Sequence, residues 1–166
     1  MSEKLKFTLK AWVVITVTTL ALSALTEGFF KYILGMELPE QNQVEVVRQL
    51  IKARAWKLLL INGGLVLAAM PCLEECIFRW VTRFGWSRPK VWWFLAILFA
   101  ALFAAAHYTQ PGSHFPDNAF LALFAFALLQ SALYRRTRAL WCAMLTHALF
   151  NLTNVVLLLV MIFLDK

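Results

Sequence analysis

Charge is what this sequence has least of. Only 15% of its 166 residues are Asp, Glu, Lys or Arg, while 61% are hydrophobic; soluble domains carry roughly 25% charged residues. The mean hydropathy of +0.69 agrees, and together these values exclude a soluble enzyme or a nucleic-acid-binding domain as the first reading. Cysteine is scarce as well. Cys72, Cys76 and Cys142 lie in apolar stretches, an odd number without zinc or disulfide spacing, so they read as small apolar fillers. No HExxH zinc motif occurs. No internal repeat, low-complexity tract or linker divides the chain, which predicts a single membrane domain over residues 1–166.

What the chain has instead is apolar sequence in long runs, at residues 8–26, 56–82, 91–108, 115–134 and 139–164. Each comes close to the ~20 residues that a bilayer crossing needs. The expected fold class is therefore all-α: a polytopic membrane helical bundle with about five transmembrane helices plus one interfacial helix. The interfacial helix is read from Val44, Val47, Leu50 and Ile51, which recur at helical spacing between Glu45, Arg48, Gln49 and Lys52. The formal charge of +7 is carried by basic clusters at Lys4/Lys6/Lys10, Arg83/Arg88/Lys90 and Arg135/Arg136/Arg138, whereas Tyr108 to Asn118 has no Lys or Arg. Alternate connections are basic, which puts the amino terminus in the cytoplasm; Trp92 and Trp93 read as part of an interfacial aromatic belt. Lys4, Lys6 and Lys10 ahead of Ala11–Leu25 resemble a signal peptide, with Ala21-Leu22-Ser23 as a possible cleavage site. With Met1 present, an uncleaved first span is the expectation.

Several residues sit in the wrong solvent. Glu74, Glu75 and Arg79 fall in the second run, His107 ends the third, and His147 and Asn151 lie in the fifth. A Glu or Arg near the bilayer centre costs ~2.5 to 3.5 kcal/mol even on the lenient insertion scale, so each must be buried against a partner or water. Glu75 and Arg79, four apart, share a helix face and can form an ion pair, while Glu74 is turned about 100° away and stays free. Phe103 and His107 are four apart, as are His147 and Asn151, so three helices can each present a polar stripe. Pro71 frees a carbonyl and kinks its helix, a device for opening a polar cavity, and Gly63 and Gly64 allow close packing. His114, in the Pro111-Gly112-Ser113 loop, reads as a solvated turn residue; Gln130, Ser131 and Asn154 read as packing or cavity-lining groups.

In order along the chain, Glu74–Arg79 matches EExxxR, Phe103–His107 matches FxxxH and His147–Asn151 matches HxxxN. On these three motifs the chain resembles the CPBP family, the CAAX proteases and bacteriocin-processing enzymes, which are glutamic-type intramembrane endopeptidases. The resemblance covers about residues 60–155, a four-helix core, and leaves the first span and the interfacial helix, residues 1–55, unmatched. It implies hydrolysis of a peptide bond without cofactor or metal. Glu74 and His107 would activate a water, His147 and Asn151 would stabilise the oxyanion, and Glu75, Arg79 and Phe103 would support them. The implied partners are a membrane-anchored protein or peptide substrate and the lipid bilayer, with no nucleic acid. The implied location is a prokaryotic inner membrane.

Other readings of the same residues are a zinc site formed by Glu74, His107 and His147, a non-catalytic immunity or scaffold protein, and a proton-coupled transporter. Depth poses a further question. At 1.5 Å per residue, Glu74 and His147 fall roughly 13 Å from the basic side and His107 roughly 25 Å, yet a shared site needs them level.

Overall fold

The computed structural model describes residues 2–36, 42–107 and 118–164, with the helix backbone alone at 42–46, 118–119 and 163. Among these residues every regular element is helical. Helix α1 spans Glu3–Gly28, opens on Ser2, whose hydroxyl accepts the Leu5 N–H, and runs into a π-turn at Phe29–Ile33. Its buried Thr8 and Thr19 hydroxyls donate to the carbonyls of Lys4 and Ile15. These bonds satisfy, within the helix, polar groups that lipid cannot.

Helix α2, Asn42–Lys52, forms where the amphipathic pattern predicts it. Arg54, in the left-handed region at φ 52, then turns the chain into α3, Trp56–Gly64. From here the chain runs without a loop through a π segment, Leu65–Ala69, then α4, Met70–Phe78, and a 3-10 stretch, Trp80–Gly85. Helix α5, Pro89–Ala106, starts on a proline whose missing N–H costs nothing in a first turn. Helices α6, Asn118–Thr137, and α7, Leu140–Leu164, complete the bundle.

Among the described residues four segments are long and apolar enough to cross a membrane: Glu3–Ile33, Trp56–Gly85, Pro89–Ala106 and Leu140–Ile162. Helix α6, the remaining expected span, has 20 residues, about 30 Å at 1.5 Å per residue. It is sheltered by α1, α5 and α7, and its polar Gln130 and Ser131 are fully buried. The Gln130 amide donates to the Ala143 carbonyl and the Ser131 hydroxyl to the Ala127 carbonyl, the packing role expected of both. Helix α5 packs on α6 and buries Ala96, Ala100 and Ala104, four apart. Small side chains at this spacing let backbones approach closely where no hydrophobic force drives helices together. Phe103, Phe126, Ala127, Cys142 and Phe150 fill the core beside them. Cys142 is thus a buried filler, whereas Cys72 and Cys76 are exposed on the apolar outside.

Trp92 departs from its expected place in an interfacial belt: it is 2% exposed, against 50% for Trp93. The 3-10 stretch folds back onto α5 and lays Gly85 against the Trp92 backbone. A Cβ at Gly85 would lie 2.5 Å from Trp92 N and Cα. Gly85→Ala must therefore push two backbones apart, and a loss of about 1–3 kcal/mol is expected, the usual cost of overpacking. A lower unfolding temperature in detergent checks this. The segment Tyr108–Asp117, with Pro111, Gly112, Ser113 and His114, lies outside the described residues.

Candidate active site

The site is built where α4, α5 and α7 meet. Glu74 and Glu75 lie on α4, His107 caps the carboxyl end of α5, and His147 and Asn151 lie on α7. The structure brings Glu74 and both histidines together. His107 Nε2 lies 3.8 Å from one Glu74 oxygen and His147 Nε2 lies 3.5 Å from the other. The cluster grades inward, from His107 with 31% of its side chain exposed, through Glu74 at 14%, to His147 at 5%.

Glu74 and His107 are level in the structure, although the count from the basic loops separates them. The α-helix ends at Arg79, whose carbonyl accepts from both the N–H and the hydroxyl of Thr82, and the chain tightens into the 3-10 form. A 3-10 stretch rises about 2.0 Å per residue against 1.5 Å in an α-helix. Over six residues that adds only about 3 Å, and the stretch folds back onto α5 before the roughly 27 Å return to His107.

Each imidazole is oriented from behind. His107 Nδ1 lies 2.9 Å from the Phe103 carbonyl oxygen. That oxygen can only accept, so Nδ1 carries the proton and Nε2 faces Glu74. His147 Nδ1 lies 2.9 Å from Glu75 Oε1. This contact gives Glu75 a partner that helix spacing misses, because it joins residues 72 positions apart. The only trace of it in the sequence is the doubled glutamate, whose two side chains necessarily diverge.

Behind Glu75 lies the ion pair expected from the i,i+4 spacing: Arg79 Nε is 3.1 Å from Glu75 Oε2, both side chains wholly buried. The two atoms meet off the hydrogen-bond line, and Arg79 Nη1 and Nη2 have no hydrogen-bond partner, so charge and packing carry the contact. The guanidinium lies over the Phe103 ring at 4.7 Å, and the same ring contacts His107 at 4.5 Å. Phe103 is core packing, as expected, and also a bolster between the arginine and the imidazole.

Asn151 has a partner the sequence does not disclose: its Nδ2 donates to the Val66 carbonyl at 2.9 Å. The reason is local. In the π register the Met70 N–H goes to the Leu65 carbonyl, so the Val66 carbonyl would take the N–H of residue 71, which is proline and has none. The freed carbonyl expected from Pro71 is therefore that of Val66, and Asn151 satisfies it. Asn151→Ala is expected to cost about 1 kcal/mol, the low end for leaving a partly buried acceptor unsatisfied, read as a drop in unfolding temperature. One amide hydrogen of Asn151 remains for other work.

Chemically, a carboxylate facing two fixed imidazoles can accept, hold and return a proton. Among the described residues no three His, Cys, Asp or Glu side chains form a metal-holding group. A family model described as type II CAAX prenyl endopeptidase Rce1-like matches residues 54–153. The match begins just before α3, ends within α7 and includes every site residue named above. No curated protein and no solved structure matches the chain.

Proposed function

Because the chain belongs to the Rce1-like family of type II CAAX prenyl endopeptidases, within the CPBP intramembrane proteases, we propose that this integral membrane protease works by a glutamate-activated water. The observation that supports this reading is the approach of two Nε2 atoms, from separate helices, to the two oxygens of one carboxylate. Separations of 3.5 and 3.8 Å exceed a direct hydrogen bond and suit groups that hold a water in common.

Glu74 takes a proton from that water as its oxygen bonds to the scissile carbonyl carbon. The carbonyl oxygen becomes an oxyanion, which accepts from the remaining Asn151 amide hydrogen or from protonated His147 Nε2; one such donor is worth ~10² to 10³ in rate. The tetrahedral carbon then expels the amine, which leaves with the proton carried by Glu74 or relayed through His107. Glu75, held by Arg79, fixes the His147 ring. The substrate is a membrane-anchored protein or peptide with a CAAX-like terminus, a bacteriocin precursor or a carboxyl-terminal sorting signal. The basic connections suit an amino terminus in the cytoplasm of a prokaryotic inner membrane.

The test incubates purified protein with candidate membrane-anchored substrates, with and without chelator, and reads new termini by mass spectrometry. Cleavage at one bond that survives chelation is the expected result. Cleavage lost to chelator and restored by zinc would make Glu74, His107 and His147 metal ligands instead. Binding of such substrates without any cleavage would favour a non-catalytic scaffold.

A further inference from the structure

Three basic segments, far apart in sequence, meet at one end of the bundle. Arg136 lies over the Phe7 ring of α1 at 4.8 Å, which brings Lys4, Lys6 and Lys10 to the carboxyl end of α6. Arg138 lies over Trp86 at 4.0 Å and Arg135 over Trp92 at 4.3 Å, which brings Arg83, Arg88 and Lys90 to the same end. Trp86 also packs on Tyr134 at 5.0 Å. Among the described residues the carboxylate at this end is Glu3, already paired with Lys6, and Arg83, Arg135, Arg136 and Arg138 have no acidic partner. So many like charges repel unless an anion lies among them.

These arginines are not loose solvated chains. Their guanidinium carbons lie 4.0–4.8 Å from the centres of aromatic rings, including Arg83 over Trp80 at 4.5 Å. A cation–π contact restrains the side chain without using up its N–H groups, which can then grip a phosphate bidentately. Arg138 also holds a left-handed backbone, φ 55, directly after α6, a position that ordinarily falls to glycine. A strained non-glycine residue kept at such a place points to a use for its side chain.

Depth identifies the anion. The cations flank Gly85–Pro89 and Thr137–Leu140, where membrane segments end and begin, so they lie at headgroup level. There the anion always within reach is a lipid phosphate. We propose that this face binds the phosphodiester headgroup of an anionic phospholipid, with Arg135 and Arg138 as its principal contacts.

The experiment uses full-length protein in detergent micelles with added phosphatidylglycerol, phosphatidylcholine, inorganic phosphate or a soluble acidic peptide. It reads unfolding temperature and, by native mass spectrometry, retained lipid; neither depends on proteolysis. Phosphatidylglycerol is expected to be retained and to raise the unfolding temperature, whereas phosphatidylcholine and inorganic phosphate are not. Arg138→Gly relieves the left-handed strain, so it is expected to fold as well as the wild type in phosphatidylcholine. It should nonetheless need about fivefold more phosphatidylglycerol for half the effect, the equivalent of one charge near an anionic surface. Arg138→Lys, which keeps charge but not plane, should fall between. Equal shifts from the two lipids, or an unchanged phosphatidylglycerol requirement in Arg138→Gly, would overturn the proposal. Protection by the acidic peptide in place of lipid would replace it with a protein partner.

Discussion

Glu74→Gln is expected to lower peptide hydrolysis by about 10²- to 10⁴-fold, the range supplied by one general base, with KM for the membrane substrate little changed. Glutamine keeps the shape and the hydrogen-bonding reach of the side chain but cannot take a proton from water. The variant should fold at least as well as the wild type, because the carboxylate it removes is 14% exposed and makes no contact shorter than 3.5 Å with either histidine. His107→Ala should also lose activity, but less in the company of Glu74→Gln than alone, since residues that act on one water are not additive. Initial rates on a substrate cleaved by the wild type, with unfolding temperatures alongside, check these outcomes. Full activity in Glu74→Gln would remove Glu74 from the chemistry and leave its contacts with the histidines as packing alone.

How much of the molecule is legible in its sequence depends on range. The membrane helices follow from the length of the apolar runs, while α2, the Glu75–Arg79 pair and the stripes Phe103/His107 and His147/Asn151 follow from periodicity, because a helix fixes which residues three and four apart share a face. The position of Pro71 foretells a freed carbonyl in the second membrane segment. What periodicity cannot express is which stripe meets which. The Glu75–His147 contact spans 72 positions and the Asn151–Val66 contact 85, and both arise from packing of α4 and the π segment on α7. The π segment itself carries no strong sequence mark, yet it decides that the orphan carbonyl belongs to Val66. The burial of Trp92 escapes the sequence for the same reason. It depends on Gly85 lying flush against α5, a tertiary contact that a count of tryptophans near basic residues does not contain. The level placement of His107 with Glu74 is likewise a tertiary outcome that a uniform 1.5 Å rise counted from the loops does not contain.

Arg79→Met should be the most damaging substitution to stability, by about 3–5 kcal/mol, because it leaves the Glu75 carboxylate buried without its compensating charge. The unfolding temperature should fall on the order of 10 °C for a chain of this length, and the Phe103 ring loses the cation above it. A buried ion pair is a weak source of net stability, so removing both charges should undo most of the damage. Glu75→Gln with Arg79→Met is therefore expected to return close to the wild-type unfolding temperature, and it keeps an oxygen that can accept from His147 Nδ1. Glu75→Met with Arg79→Met should recover less, since His147 then has a buried N–H with no acceptor. Activity separates the two double variants further. If Glu75 serves to orient the His147 imidazole, the Gln variant retains most of its rate and the Met variant loses about 10- to 100-fold, the usual size for a partner that orients a histidine. Equal losses in both would instead make the negative charge of Glu75 the necessary element, acting on the protonation of His147. Equal activity in both, at wild-type level, would reduce the Glu75–Arg79 pair to a device of packing and return His147 to the role of an unassisted donor.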